Sequence, residues 1–174
     1  MSQWQVRPLD KKHDRSGFDC GEPSLNIYIR ERAGQHARKD ISRTFVAVSP
    51  GDRIVQGYYT LATGSIKFES MPPKQRKGLP SEYPIPTAYL VRLAVDKRYQ
   101  RKGLGGVLLY DAMARAVRAA DDMGIHAFMV QAVSDPAKTF YIQHGFAPVE
   151  DDPLHLFVTT KVVRKLLAET AGSP

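Results

Sequence analysis

The chain of 174 residues has one cysteine, Cys20, and one tryptophan. A lone thiol cannot close an internal disulfide, which excludes a disulfide scaffold and leads to the expectation of a reducing, cytoplasmic setting. No segment approaches the roughly 20 uninterrupted apolar residues of a spanning helix. The opening MSQWQVRPLD lacks the basic-then-apolar run of a secretory leader, so no membrane association is expected. The histidines (His13, His36, His126, His144 and His155) show no metal-ligand spacing, and no metal is expected. Repeats and low-complexity tracts are missing as well. Acids are the minority charge, 18 against 25 Lys and Arg, giving a formal net charge of +7. An excess of that sign attracts polyanions.

What is present is enough for one hydrophobic core, and a single domain over residues 1–174 is expected. Residues 1–9 read as a strand. Pro23 suits a first helical turn, and Leu25, Tyr28, Ile29, Ala33 and His36 recur at helical spacing, predicting one helix over 23–39 with a basic outer side. TFVAV (44–48) and the long run 54–68 form a hairpin, with Gly57 and Gly64 as bends. Residues 69–86 hold five prolines and read as an exposed loop. A buried strand follows at 87–95, then a helix over 104–120 with Leu104, Val107, Leu108, Met113 and Val117 inward. Next come a strand at 125–131 and a short helix capped by Asp135 and ended by Gly145. Strands FAPVE and LHLFVTT and a closing helix VVRKLLAE complete the chain. This alternation is an α/β (α+β) fold, a mixed central sheet flanked by helices.

The strongest local signal is AVDKRYQRKGLGGVLLYDAM. A buried strand runs into a basic, glycine-rich loop that opens directly into a helix. Gly103, Gly105 and Gly106 clear side chains from backbone that must approach a ligand. Helix N-terminal amides and the helix dipole favour an anion there, with Arg101 and Lys102 adding charge. The pattern suits a pyrophosphate. It is not a Walker loop, having no GKS or GKT, and GLGG is not the GxGxxG dinucleotide fingerprint. The competing reading is an incidental glycine-rich turn at a helix start.

Gln100-Arg101-Lys102-Gly103-Leu104-Gly105 resembles the Q/R-x-x-G-x-G/A signature of GNAT-type N-acetyltransferases. The resemblance implies that this loop, Gly106 included, binds the pyrophosphate of acetyl-coenzyme A, and that strand residues Leu93, Ala94 and Val95 hold its pantetheine arm. A later helix with Ala137 and Phe140 would lie along the cofactor, and Tyr141 near the thioester. FDCGEPSLNIYI, ISRTFVAV, GYYTLATGSI, RLAVDKRYQRKGLG and AKTFYIQHGF are further similar to the GNAT toxins of bacterial type II toxin–antitoxin systems. Membership there implies acetylation of the α-amino group of aminoacyl-tRNA and inhibition of translation. It also implies neutralisation by a ribbon-helix-helix antitoxin, operator DNA contacted only through the antitoxin complex, and a homodimer. Tyr28 stands where those toxins usually carry Trp, and Val91 where Gly is common.

The chemistry assigns roles. A phenol is protonated at neutral pH, so Tyr141 can give the leaving thiolate its proton. A backbone N–H of the strand holding Val95 would polarise the carbonyl. An α-amine, with pKa near ~7.7–8, is partly neutral without a strong base. Glu69, Glu82 and Asp96 read as surface or turn residues. Lys39, Arg43, Lys74, Arg76 and Lys77 offer a track for tRNA phosphates, with Arg92 placed to meet the acceptor end. The rival readings are an acetyltransferase acting on a small amine, a protein N-terminus or a lysine, and a basic nucleic-acid-binding module without catalysis.

Overall fold

The computed structural model describes residues 3–172. Seven strands share one mixed sheet in the order β1-β2-β3-β4-β5-β7-β6. They are β1 (Gln5–Pro8), β2 (Arg43–Val48), β3 (Gly57–Ile66), β4 (Ile85–Val95), β5 (Ala127–Gln131), β6 (Ala147–Val149) and β7 (Asp152–Thr159). The helices are α1 (Pro23–Ile27), α2 (Ala33–Arg38), α3 (Pro73–Arg76), α4 (Leu104–Ala120), α5 (Asp135–Gln143) and α6 (Thr160–Ala171). Contacts divide the chain into two compact units, one of residues up to Ala62 with Val91–Ala112, the other of Thr63–Leu90 with Met113 onward.

In the first unit β1, β2 and β3 form an antiparallel meander, with Gln5 opposite Val48 and Arg43 opposite Leu61. The expected helix over 23–39 is α1 and α2 joined by a π-helical turn, Tyr28–Arg32. There the Ala33 N–H donates to the Tyr28 carbonyl five residues back. The widened turn lets Tyr28, Ile29 and Ala33 all enter one apolar cluster with Phe18, Val46, Val48, Val55, Tyr58 and Ala94. A strict 3.6-residue period does not encode such an insertion.

In the second unit β5 runs parallel to β4 from Thr87↔Ala127 to Leu90↔Val130, and β7 lies antiparallel between β5 and β6. The stretch 69–86 is not the wholly exposed loop expected from its prolines. It holds a 3-10 turn (Phe68–Ser70) and α3, and β4 already starts at Ile85. Met71 and Ile85 anchor it in a cluster with Ile66, Met129 and Phe157. Arg76 donates from Nε to the Met71 carbonyl at 2.7 Å and from Nη2 to the Glu69 carbonyl at 2.6 Å, closing the turn on itself.

Two smaller expectations also shift. The cap of α5 is Ser134, whose Oγ accepts from the Ala137 N–H; Asp135 is one residue inside the helix. The buried residues of α4 are Leu104, Leu108, Leu109, Ala112, Met113 and Ala116, whereas Val107 and Val117 are only half-buried.

Candidate active site

In the first unit β4 continues past its β5 ladder, which ends at Leu90, for Val91–Val95. Ala94 is buried, while Leu93 and Val95 are half-buried. Asp96 then turns the chain. Its side chain accepts from the Arg98 N–H at 2.9 Å and caps the 3-10 turn Lys97–Tyr99. It also accepts from Arg98 Nε at 2.9 Å and from the Asp19 N–H at 3.1 Å. Asp96 is 1% exposed, so it is a turn residue as expected but not a surface one. Burial pushes its carboxyl up, yet the hydrogen bonds and charge of Arg98 and the Asp19 amide outweigh that and hold it below the ordinary value. A carboxylate so committed is a poor proton acceptor, which removes Asp96 as a general base.

Gln100 fastens the loop that follows. Its Nε2 donates to the Val95 carbonyl at 2.8 Å and to the Cys20 carbonyl at 3.1 Å. The segment carrying Cys20 is itself fixed by buried Asn26, which accepts from the Cys20 N–H at 2.8 Å and donates to Asp19 Oδ1 at 3.0 Å. Arg101 then adopts φ +63° and Gly103 φ +90°. A left-handed non-glycine residue is uncommon and costs conformational energy. At Gly103 a Cβ would meet nothing within 4 Å, so the space there is open.

α4 starts at Leu104, and its first backbone bond runs from the Val107 N–H to the Gly103 carbonyl at 3.2 Å. The amides of Leu104, Gly105 and Gly106 precede that bond and have no helical turn below them to satisfy. Gly103 occupies the cap position without a side chain that could take one of those donors. Arg101 and Lys102 are exposed beside it. Leu104 points inward and is 1% exposed. Its packing depends on Gly57, where a Cβ would lie 2.9 Å from Leu108 Cδ1, 3.1 Å from Leu104 Cδ2 and 3.1 Å from the Ala94 carbonyl oxygen. Gly57 is thus a site of close approach, not the bend expected of it. Open space, three free amides, a glycine cap and flanking cations fit a diphosphate ester such as that of coenzyme A.

In the second unit α5 presents the aromatic pair. Phe140 and Tyr141 meet edge-on at 5.2 Å, and Tyr141 meets Phe146 at 5.5 Å. His144 fixes the helix end through Nδ1 and the Phe140 carbonyl, 2.7 Å apart. Tyr141 is 6% exposed, and burial pushes its phenol well above the ordinary value, keeping it protonated through neutral pH. Ala137, half-buried, donates its N–H to the Ser134 cap. Among the described residues no group of three or more His, Cys, Asp or Glu could hold a metal ion.

The profile of the Acetyltransferase (GNAT) domain family matches residues 40–148. The chain is a GNAT acetyltransferase. It is 40% identical over 163 residues to a tRNA-acetylating toxin of Mycobacterium tuberculosis, covering 94% of this chain and 96% of that protein. It is similar to a crystal structure of a tyrosine-to-phenylalanine variant of KacT, with TM-score 0.89 and 31% identity, covering 95% of this chain and 99% of that one. AtaT complexed with acetyl-methionyl-tRNAfMet gives TM-score 0.87 and 32% identity over 94% of this chain and 98% of that one.

The basic positions of this acetyltransferase are divided between the two units. Lys39 is exposed at the end of α2. Arg43 opens β2, and its guanidinium is engaged by the Ala37 carbonyl and Asp40 Oδ1, both at 2.5 Å. Lys74 and Lys77 are exposed on and after α3, while Arg76 serves the turn described above. Arg92 is half-buried against Tyr28. Sequence reasoning missed the support under the cradle, namely Gln100, Asp96, Asp19 and Asn26. The signals were available: Gln100 opens the Q-x-x-G motif, and Asp96 two residues before Arg98 is the spacing of a side-chain-capped turn.

Proposed function

We propose that this acetyltransferase moves an acetyl group from acetyl-coenzyme A to the α-amino group of aminoacyl-tRNA and thereby stops translation, as the toxin of a type II toxin–antitoxin pair. The observation that carries the reading is similarity along nearly the whole chain to AtaT complexed with acetyl-methionyl-tRNAfMet, joined to the anion cradle at the start of α4. Solved relatives also include AtaTR bound with AcCoA and an AtaT–AtaR complex bound to DNA. They support acetyl-coenzyme A as co-substrate and an antitoxin partner through whose complex DNA is reached; the reading takes that antitoxin to be of ribbon-helix-helix type and that DNA to be the operator. The reading takes residues 1–174 as one catalytic domain, working as a cytoplasmic homodimer. Among the described residues no helix is long and apolar enough to cross a membrane.

Acetyl-coenzyme A supplies an activated thioester. The amides of Leu104, Gly105 and Gly106, with Arg101 and Lys102, hold its pyrophosphate. The backbone of Leu93, Ala94 and Val95 holds the pantetheine arm and polarises the carbonyl, while Ala137 and Phe140 flank the cofactor. Tyr141 Oη–H gives its proton to the departing sulfur; burial keeps that proton in place until it is needed. No carboxylate is required as a strong base, because an α-amine with pKa near ~7.7–8 is partly neutral at physiological pH. Lys39, Arg43, Lys74, Arg76 and Lys77 lend positive field to the tRNA backbone.

The test uses purified protein, labelled acetyl-coenzyme A and charged tRNA beside a polyamine and a protein acceptor. Label on the aminoacyl group supports the proposal, and its yield falls with added salt more steeply than acetyl-coenzyme A binding does. Label on the polyamine or protein alone replaces it with the small-amine or protein-acceptor activity.

A further inference from the structure

Among the six basic positions assigned above to tRNA, Arg92 has surroundings unlike a solvated surface or an internal staple. It lies on β4, three residues before Val95, roughly 10 Å of strand from where the cradle loop departs. Its guanidinium carbon sits 3.6 Å from the centroid of the Tyr28 ring. Tyr28 is 2% exposed and held at both ends: its ring stacks on Tyr58 at 6.4 Å, and its hydroxyl lies 3.0 Å from Ser42 Oγ and 3.3 Å from His36 Nδ1. The Tyr58 hydroxyl, within the field of the same guanidinium, is committed to the Leu25 carbonyl at 2.7 Å. Neither phenol is a counter-ion, and no carboxylate pairs with Arg92 among the described residues. A half-buried cation is therefore stacked on a fixed aromatic face, while its N–H edge serves no acceptor among the described residues. Such a fork matches a phosphate or carboxylate in two-pronged fashion.

We infer that Arg92 binds a phosphate of the acceptor substrate, the one nearest its reactive amine, and that Tyr28 is the positioning residue that holds Arg92 for it. The inference rests on the aminoacyl-tRNA reading. In an aminoacyl ester the amino acid's own carboxylate is consumed, so the anion closest to the amine is the phosphodiester of the terminal nucleotide. The pyrophosphate of acetyl-coenzyme A has separate donors beyond the turn at Lys97–Tyr99.

Two minimal acceptors isolate that phosphate: an aminoacyl-adenosine, which has none, and the aminoacyl ester of cytidylyl-adenosine, which has one. Both carry an amino acid that the unaltered protein acetylates on intact tRNA. Unaltered protein is expected to favour the phosphate-bearing acceptor in kcat/KM by about 10- to 100-fold, a preference that shrinks with salt. Arg92→Met abolishes the preference and Arg92→Lys restores part of it, while acetyl-coenzyme A affinity, measured in parallel, is unchanged and reports folding. Tyr28→Leu raises KM for the phosphate-bearing acceptor with kcat held; Tyr28→Phe, which keeps the stack, changes it much less. Equal turnover of the two acceptors by unaltered protein overturns the inference even where intact tRNA is acetylated. So does a preference that survives in Arg92→Met. Failure to acetylate charged tRNA at all removes the functional reading, and this inference with it.

Discussion

Replacing Gly57 by alanine tests how the cradle is held. The added Cβ would lie 2.9 Å from Leu108 Cδ1, 3.1 Å from Leu104 Cδ2 and 3.1 Å from the Ala94 carbonyl oxygen. Leucine tips can yield by a few tenths of an ångström, but a strand carbonyl cannot swing away without disturbing β4. Leu104 is the first residue of α4, so pushing it outward displaces the amides proposed to receive the anion. Overpacking of this kind costs about 1–3 kcal/mol. For a chain of this size that lowers Tm by about 2–12 °C. A displaced cradle should also weaken acetyl-coenzyme A by about 10-fold, some 1.4 kcal/mol. Thermal unfolding followed by circular dichroism reads the first effect and calorimetric titration the second. Gly17→Ala is the control, since a Cβ there meets nothing within 4 Å; it should change neither quantity appreciably. A Gly57→Ala protein as stable and as tightly binding as the parent would refute the packing argument.

Tyr141→Phe keeps the ring contacts with Phe140 and Phe146 and removes only the hydroxyl; kcat should fall about 10²- to 10³-fold with acetyl-coenzyme A affinity intact, and undiminished turnover would take Tyr141 out of the reaction. Asp96→Asn should lower stability at pH 7 by about 1–2 kcal/mol, a figure discounted because its partner Arg98 is largely exposed. The Asp96 carboxyl is depressed below its ordinary value of 3.8, so its contribution is complete above that pH and lost as pH falls through the lower folded value. Denaturation between pH 5 and 2 should therefore show a steeper acid loss in the parent than in the variant, and parallel curves would contradict the assignment. Ser134→Ala should cost about 1 kcal/mol in chemical denaturation and Asp135→Ala distinctly less; the reverse order would return the α5 cap to Asp135.

Much of the fold was legible because burial leaves a period. α4 begins and ends where its apolar spacing placed it, and β2, β4, β5 and β7 emerge from compact apolar runs. The glycine-rich junction between β4 and α4 was legible for a different reason: glycines clustered after a buried apolar run mark bare backbone at a helix start. What escaped reading depends on partners far along the chain or on one-residue insertions. The π turn at Tyr28–Arg32 leaves no composition signature. Gly57 looks like a bend until the leucines of α4, some 50 residues on, are packed against it. Arg76 reads in the sequence as a loop cation offered to tRNA phosphates, because its acceptors are carbonyls, which carry no sequence label. Ser134 and Asp135 are both good caps, and only the backbone decides between them. Gln100 was visible as a motif letter, but its task of tying Cys20 to Val95 was not.

The most direct measurement compares heats of binding for acetyl-coenzyme A and for acetyl-pantetheine, which shares the thioester and lacks the diphosphate. If the first amides of α4 grip that diphosphate, acetyl-coenzyme A binds with clear heat, and acetyl-pantetheine binds at least ~100-fold more weakly, as loss of several charge-assisted hydrogen bonds requires. Equal affinities, or no heat from acetyl-coenzyme A with folded protein, would contradict the account at its root.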